Sequence, residues 1–153
     1  LRFYDPANND KYLLDREGKW SAQAANDYMN TILASYSTAN NNMVELIICN
    51  NDGMAEGAIS ALVSAGYNKG GDSTTIPVFG VDATSAAREL IRAGKMAGTI
   101  KQDAAGMADA IEEIAENVLE GKSLLAGMDD YTVDSGVAKV RISYAVYLGD
   151  END

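Results

Sequence analysis

The chain has 153 residues, 46% of them hydrophobic, with 12 basic against 23 acidic side chains and a formal net charge of −11. That size and apolar content suit one globular domain with a buried core, and the acidic balance opposes neutralisation of a phosphate backbone, so nucleic acid is not an expected partner. Histidine is absent and there is one cysteine, Cys49, which excludes Ser-His and Cys-His nucleophiles, histidine metal sites, an internal disulfide and thiolate clusters.

No apolar run approaches the roughly 20 residues needed to span a bilayer. The opening LRFYDPANND lacks the basic-then-apolar plan of a signal peptide, so the sequence reads as that of a cytoplasmic chain or of one whose leader has been removed. SAQAANDYMNTILASY then spaces Ala25, Met29, Ile32, Leu33 and Tyr36 along one helix face, with Ser21 as its N-cap. VELIIC follows as a near-continuous β-rich run, the pattern of a central parallel strand covered on both faces. Cys49, at its end, reads as a small buried residue. Ala55, Ala58, Ile59 and Leu62 mark a second helix closed by Gly66. The loop YNKGGDSTT leads to IPVFGV, a second buried strand with proline at its entry.

A short helix with Ala86, Ala87, Leu90 and Ile91 inward stops at Gly94 and precedes a brief strand, MAGTI. From Asp103 a longer helix aligns Met107, Ala110, Ile111, Ile114 and Val118 on one face and runs to Gly121, its glutamates forming a solvated face. VAKVRISYAVY alternates as a last strand, with Ala138, Val140 and Ile142 opposite Lys139 and Arg141. Strands alternating with helices through short connections predict an α/β fold, a Rossmann-like parallel sheet with right-handed crossovers in a three-layer sandwich.

Ligands of such sheets sit beyond the carboxyl ends of the strands. Asn51 follows VELIIC, Asp82 follows IPVFGV and Gln102 follows MAGTI, three polar side chains at successive strand ends. Amides donate and accept, and a carboxylate accepts from two neighbouring hydroxyls, so this set suits a neutral ligand rich in hydroxyl groups. Trp20, the sole tryptophan, stands where its flat face can cover the apolar side of a sugar ring. Taken singly, Asn51, Asp52 and Asp82 each have a simpler role as helix caps or turn residues. Only Asp52 is assigned here to capping.

The series WSAQA, ICNNDGMAEGAISAL, IPVFGVDA and AGTIKQDA, in this order, resembles the C-terminal part of the periplasmic sugar-binding proteins of the glucose/galactose-binding type, from about Tyr12 to Tyr147. The resemblance implies a partial type I periplasmic-binding-protein lobe in which Trp20 stacks on a hexose and Asn51 and Asp82 bond its hydroxyls. The family commonly has Asn where this chain has Gln102; one more methylene shifts the amide and leaves the preferred sugar open.

Relatives are two-lobed and about twice this length, so the same resemblance implies a fragment. It would lack most of the first lobe and the opening strand of the second, which in the family lies between the KYLLD and VELIIC strands. Residues 103–128 would belong to the other lobe. No cofactor is required; some relatives bind calcium through an upstream loop plus a glutamate aligned with Glu45, and that loop is not found in this sequence, which makes Glu45 a solvent-facing residue.

The implied function is that of the substrate-binding component of a bacterial ABC transporter, which takes a monosaccharide such as glucose or galactose to a membrane permease and performs no chemistry. Its place is extracytoplasmic, in a periplasm or as a lipoprotein on the outer face of the cell membrane. The effector domain of a LacI-type transcription regulator shares the fold and a similar ND-x-MA-x-GA segment, and is the alternative. An enzyme is third, since no pair of acids stands out for acid/base work. The stripe Met107, Ile111, Ile114 and Val118, deprived of the other lobe, is expected to drive homodimerisation.

Overall fold

A computed structural model describes residues 19–134, 136–137 and 139–149. The KYLLD segment and Ala138 lie outside them. The described residues divide into two compact units, one running to Thr99 and taking up Leu148 and Gly149, the other comprising Ile100–Tyr147. Residues 103–128 fall wholly in the second.

In the first unit, helix α1 (Ala22–Ser35) starts where Ser21 Oγ accepts from the Ala24 N–H, and it buries Ala25 and Met29. Helix α2 (Asp52–Ser64) buries Ala55, Ala58, Ile59, Ala61 and Leu62. Burying a side chain the size of Ile59 or Leu62 contributes roughly 1.5–3 kcal/mol. The two helices pack closely, and the Asn26 amide donates to the Gly57 carbonyl at 3.1 Å. Gly66, just past α2, takes a φ of 102°, the left-handed conformation expected of a helix stop.

Strands β1 (Ile47–Ile48) and β2 (Val78–Val81) pair in parallel, Ile47 opposite Val78 and Ile48 opposite Phe79. The main sheet is ordered β1-β2-β3-β6, with β3 at Gly98–Lys101 and β6 at Ala145–Tyr147. Among the described residues β1 is therefore an edge strand of two residues, and Ile48 is 76% exposed. The expectation of a central strand is therefore not met among the described residues. The two-sided apolar pattern of VELIIC asks for cover that the described residues supply at Cys49 but not at Ile48.

The loop ahead of β2 is held by Asn68, fully buried with a φ of 49°. Its side chain accepts from the Ile76 N–H and donates to the Ile76 and Lys95 carbonyls, all at 2.8–2.9 Å. One amide thus pairs with Ile76 as a strand residue would and sets where β2 begins. Helix α3 (Ser85–Arg92) is capped by Thr84 and buries Ala87 and Ile91. Ala86, read as inward, is exposed.

In the second unit, α4 (Ala104–Leu119) is capped by Asp103, whose carboxylate accepts from the Gly106 N–H at 2.9 Å. The last run does not form one strand. It breaks into β5 (Lys139–Arg141) and β6, and β5 pairs antiparallel with β4 (Thr132–Asp134), which sequence reasoning missed. The alternation survives in β5, where Val140 is half-buried between exposed Lys139 and Arg141. Met107, Ala110, Ile111 and Ile114 of α4 line an open apolar groove of about 530 Å³ with Val137, Val140 and Ile142. The apolar face of α4 is thus only partly covered; Ile111 and Val118 stay exposed.

Candidate functional site

The pairing of β1 and β2 places the candidate residues. Three positions past the Ile48–Phe79 pair, the chain reaches Asn51 after β1 and Asp82 after β2, both beyond the strands themselves. The ladder is maintained past β1 by the Cys49 N–H, which donates to the Phe79 carbonyl at 2.8 Å. Asn51 and Asp82 therefore both follow the carboxyl ends of adjacent parallel strands. Helices α2 and α3 both begin within a few residues of those ends.

Asn51 is the N-cap of α2: its Oδ1 accepts from the Met54 N–H at 2.8 Å, and its Nδ2 donates to the Trp20 carbonyl at 3.4 Å. One amide thereby starts the helix and tethers the tryptophan. An asparagine has two amide hydrogens and two carbonyl lone pairs, so one donor and one acceptor remain for a ligand. Trp20 itself is 66% exposed and has a φ of 59°, next to Lys19 at 47°. Its indole is presented to solvent rather than to the core.

Asp82 is exposed, with a φ of 117°, and Ala83 follows at 53°. Two consecutive non-glycine residues in the left-handed half of the map cost of order 1–3 kcal/mol each and persist only where surroundings hold them. Gln102 lies directly after β3, half-buried, in the second unit. The structure thus brings Trp20, Asn51 and Asp82 into one unit and assigns Gln102 to the other.

Asp52 requires a correction. It is not a cap, because Asn51 fills that place; it is the first residue of α2 and its side chain is fully buried. Its Oδ2 accepts from the Thr84 N–H at 2.8 Å and its Oδ1 from the Thr99 hydroxyl at 2.6 Å. Thr99 Oγ1 in turn accepts from the Ala83 N–H at 3.4 Å. A β-carbon on Gly80 would strike Asp52 Oδ1 and approach Met96 Cε at 3.0 Å, so the glycine in VFGV makes room for this carboxylate. That glycine, beside a carboxylate left over once Asn51 caps, was the sequence signal for the buried group. Thr99 had no comparable signal.

Cys49 is buried, and its thiol is pushed up to about 11, first by loss of solvent and then by the Asp52 carboxylate nearby. It is a packed thiol held in its protonated form. Among the described residues no group of three or more His, Cys, Asp or Glu could hold a metal ion, and no helix is long and apolar enough to cross a membrane. Glu45 is exposed and precedes β1.

Residues 7–123 match the periplasmic binding protein domain family. Over 110 residues the chain is 39% identical to the D-galactose/methyl-galactoside binding periplasmic protein MglB of Haemophilus influenzae, a match covering 72% of this chain and 30% of the relative. It is 31% identical over 133 residues to the multiple sugar-binding periplasmic receptor ChvE of Rhizobium radiobacter, covering 86% and 36% respectively. An ABC transporter solute binding protein from Bacillus halodurans, solved with bound myo-inositol, superposes with a TM-score of 0.62 at 26% identity, covering 86% of this chain and 38% of that one. The chain spans about a third of the length of the curated relatives it matches.

Proposed function

Since the chain belongs to the periplasmic binding protein domain family, we propose that it serves the substrate-binding component of a bacterial ABC sugar transporter, outside the cytoplasmic membrane, and binds a hexose such as glucose or galactose reversibly. It acts as a carrier and performs no chemistry. The observation that supports this reading is the parallel pairing of β1 and β2, after whose carboxyl ends Asn51 and Asp82 follow, with the Asn51 amide donating to the Trp20 carbonyl. Acceptor, mixed donor-acceptor and exposed aromatic face are the three elements that a neutral polyhydroxylated ring uses. Galactose, multiple sugars and myo-inositol in the names of the similar proteins support a polyol ligand. Gln102 enters the proposal from its place after the MAGTI strand in the sequence and from the resemblance, and an ABC permease is the proposed partner.

Titration with glucose, galactose, xylose and myo-inositol, followed by calorimetry and by Trp20 emission, tests this. A saturable change for at least one hexose, absent in Asp82→Ala, is expected. Lack of response to all four would refute the sugar site.

We further propose that this chain self-associates through α4, where Ile111, Val118 and Leu119 are exposed. Light scattering at micromolar concentration is expected to give a dimer that the double variant Ile111→Lys, Val118→Glu dissociates. A monomer in the unmodified chain refutes it.

A further inference from the structure

We propose that Asp52 and Thr99 are positioning residues for the ligand-facing turn, holding Asp82 in the orientation its contact with sugar requires. This inference rests on the reading of Asp82 as a hexose contact.

Burying a carboxylate is costly unless its oxygens are bonded, and the start of α2 does not need this one, because Asn51 already caps it. The two oxygens of Asp52 instead bond the β2–α3 connection, one directly and the other through Thr99 of β3. Oδ2 takes the Thr84 N–H directly, and Oδ1 takes the Thr99 hydroxyl, whose oxygen receives the Ala83 N–H. The carboxylate thus reaches the backbone amides of both residues that follow Asp82, across 32 positions to Thr84 and 47 to Thr99. From the other side, Arg88 Nε donates to the Ala83 carbonyl at 2.9 Å. Asp82 and Ala83, at φ of 117° and 53°, are the residues that need such restraint. An unrestrained turn would relax toward negative φ and swing the Asp82 carboxylate away from the strand end it shares with Asn51.

The test uses Asp52→Asn, Thr99→Val and Thr99→Ser in the 153-residue chain. Amide hydrogen exchange at Ala83 and Thr84 is measured beside titration with glucose and galactose read by Trp20 emission. Asp52→Asn and Thr99→Val are expected to speed exchange at these two amides, and to weaken hexose affinity, at least ten-fold each, while exchange in α1 and α2 stays as in the unmodified chain. Thr99→Ser, which keeps the hydroxyl, is expected to restore both. If Asp52→Asn does not fold, Thr99→Val, close in shape to the native residue, carries the comparison. Variants that exchange or bind hexose as the unmodified chain does overturn the proposal. An unmodified chain that binds no hexose refutes the sugar reading instead, and amide exchange then decides alone whether the clamp exists.

Discussion

Gly57 and Ala22 meet backbone to backbone: a β-carbon on Gly57 would overlap the Ala22 carbonyl oxygen and lie 2.8 Å from its carbon. The close crossing of α1 and α2 depends on this missing side chain, and the Asn26 bond to the Gly57 carbonyl forms at the same place. Because the obstacle is backbone, a methyl group there must separate the helices. Gly57→Ala is expected to cost about 1–3 kcal/mol, the usual range for overpacking. Gly53 in the same helix has only the Asn51 side chain near it, at 3.7 Å, and Gly53→Ala should stabilise by about 0.4–1 kcal/mol. Thermal melts of the two variants should shift in opposite directions; a shift of both the same way would contradict the close crossing.

Asn51 caps α2 and, in the proposed site, contacts the ligand, two roles that substitution can separate. Asn51→Ala loses the cap, worth about 0.5–2 kcal/mol, and the amide of the proposed hexose contact. Asn51→Asp keeps an oxygen for the Met54 N–H but loses the donor that reaches the Trp20 carbonyl. The aspartate variant is therefore expected to melt close to the unmodified chain and to bind hexose more weakly, while the alanine variant loses both. Chemical denaturation paired with calorimetric titration measures the two effects, and full affinity in Asn51→Asp would show that the amide donor is dispensable.

What the sequence made legible is what neighbours along the chain decide. Ser21 starts α1, Gly66, Gly94 and Gly121 follow their helices with positive φ, and the strands read from VELIIC and IPVFGV pair in parallel as neighbours. What stayed hidden depends on partners far along the chain. Asp52 looked like a cap because asparagine and aspartate are equally good there, and only Thr84 and Thr99, folded against it, show otherwise. Asn68 looked like loop, since its pairing with Ile76 and Lys95 exists only in three dimensions. The β4–β5 ribbon was missed because TVD is too short for a period, and the exposure of Ile48 because an apolar run records intended burial, not the neighbour that provides it.

Cys49 offers a pH readout. Its thiol titrates near 11 in the folded chain against an ordinary value of 9.0, so the unfolded state releases the proton first as pH rises. Stability is therefore fully present below pH 9, declines between about 9 and 11, and levels off above. Two units correspond to a loss of order 2–3 kcal/mol. Urea denaturation at pH 8 and pH 10.5, compared with Cys49→Ala, isolates most of this contribution: the decline should be smaller in the variant by about 2 kcal/mol. At pH 8 a thiol reagent should label Cys49 only after denaturation, and rapid labelling of the folded chain would contradict its burial.

Asp82 and its turn lead to a prediction in which stability and binding part company. At an ordinary position alanine is more stable than glycine by about 0.4–1 kcal/mol, because glycine has more freedom to lose on folding. At a φ of 117° the order should reverse, since a β-carbon disfavours that conformation and glycine adopts it without strain. Comparing Asp82→Gly with Asp82→Ala removes the carboxylate from both, so whatever bonds Asp82 makes cancel in the difference. The glycine variant is expected to be the more stable by about 1 kcal/mol or more, drawing on the 1–3 kcal/mol that such a strained residue stores. Both variants should lose the hexose response of Trp20, because neither offers the acceptor. If alanine proves the more stable, the left-handed turn is not held in solution; if either variant binds hexose normally, the carboxylate is not the contact that this site requires.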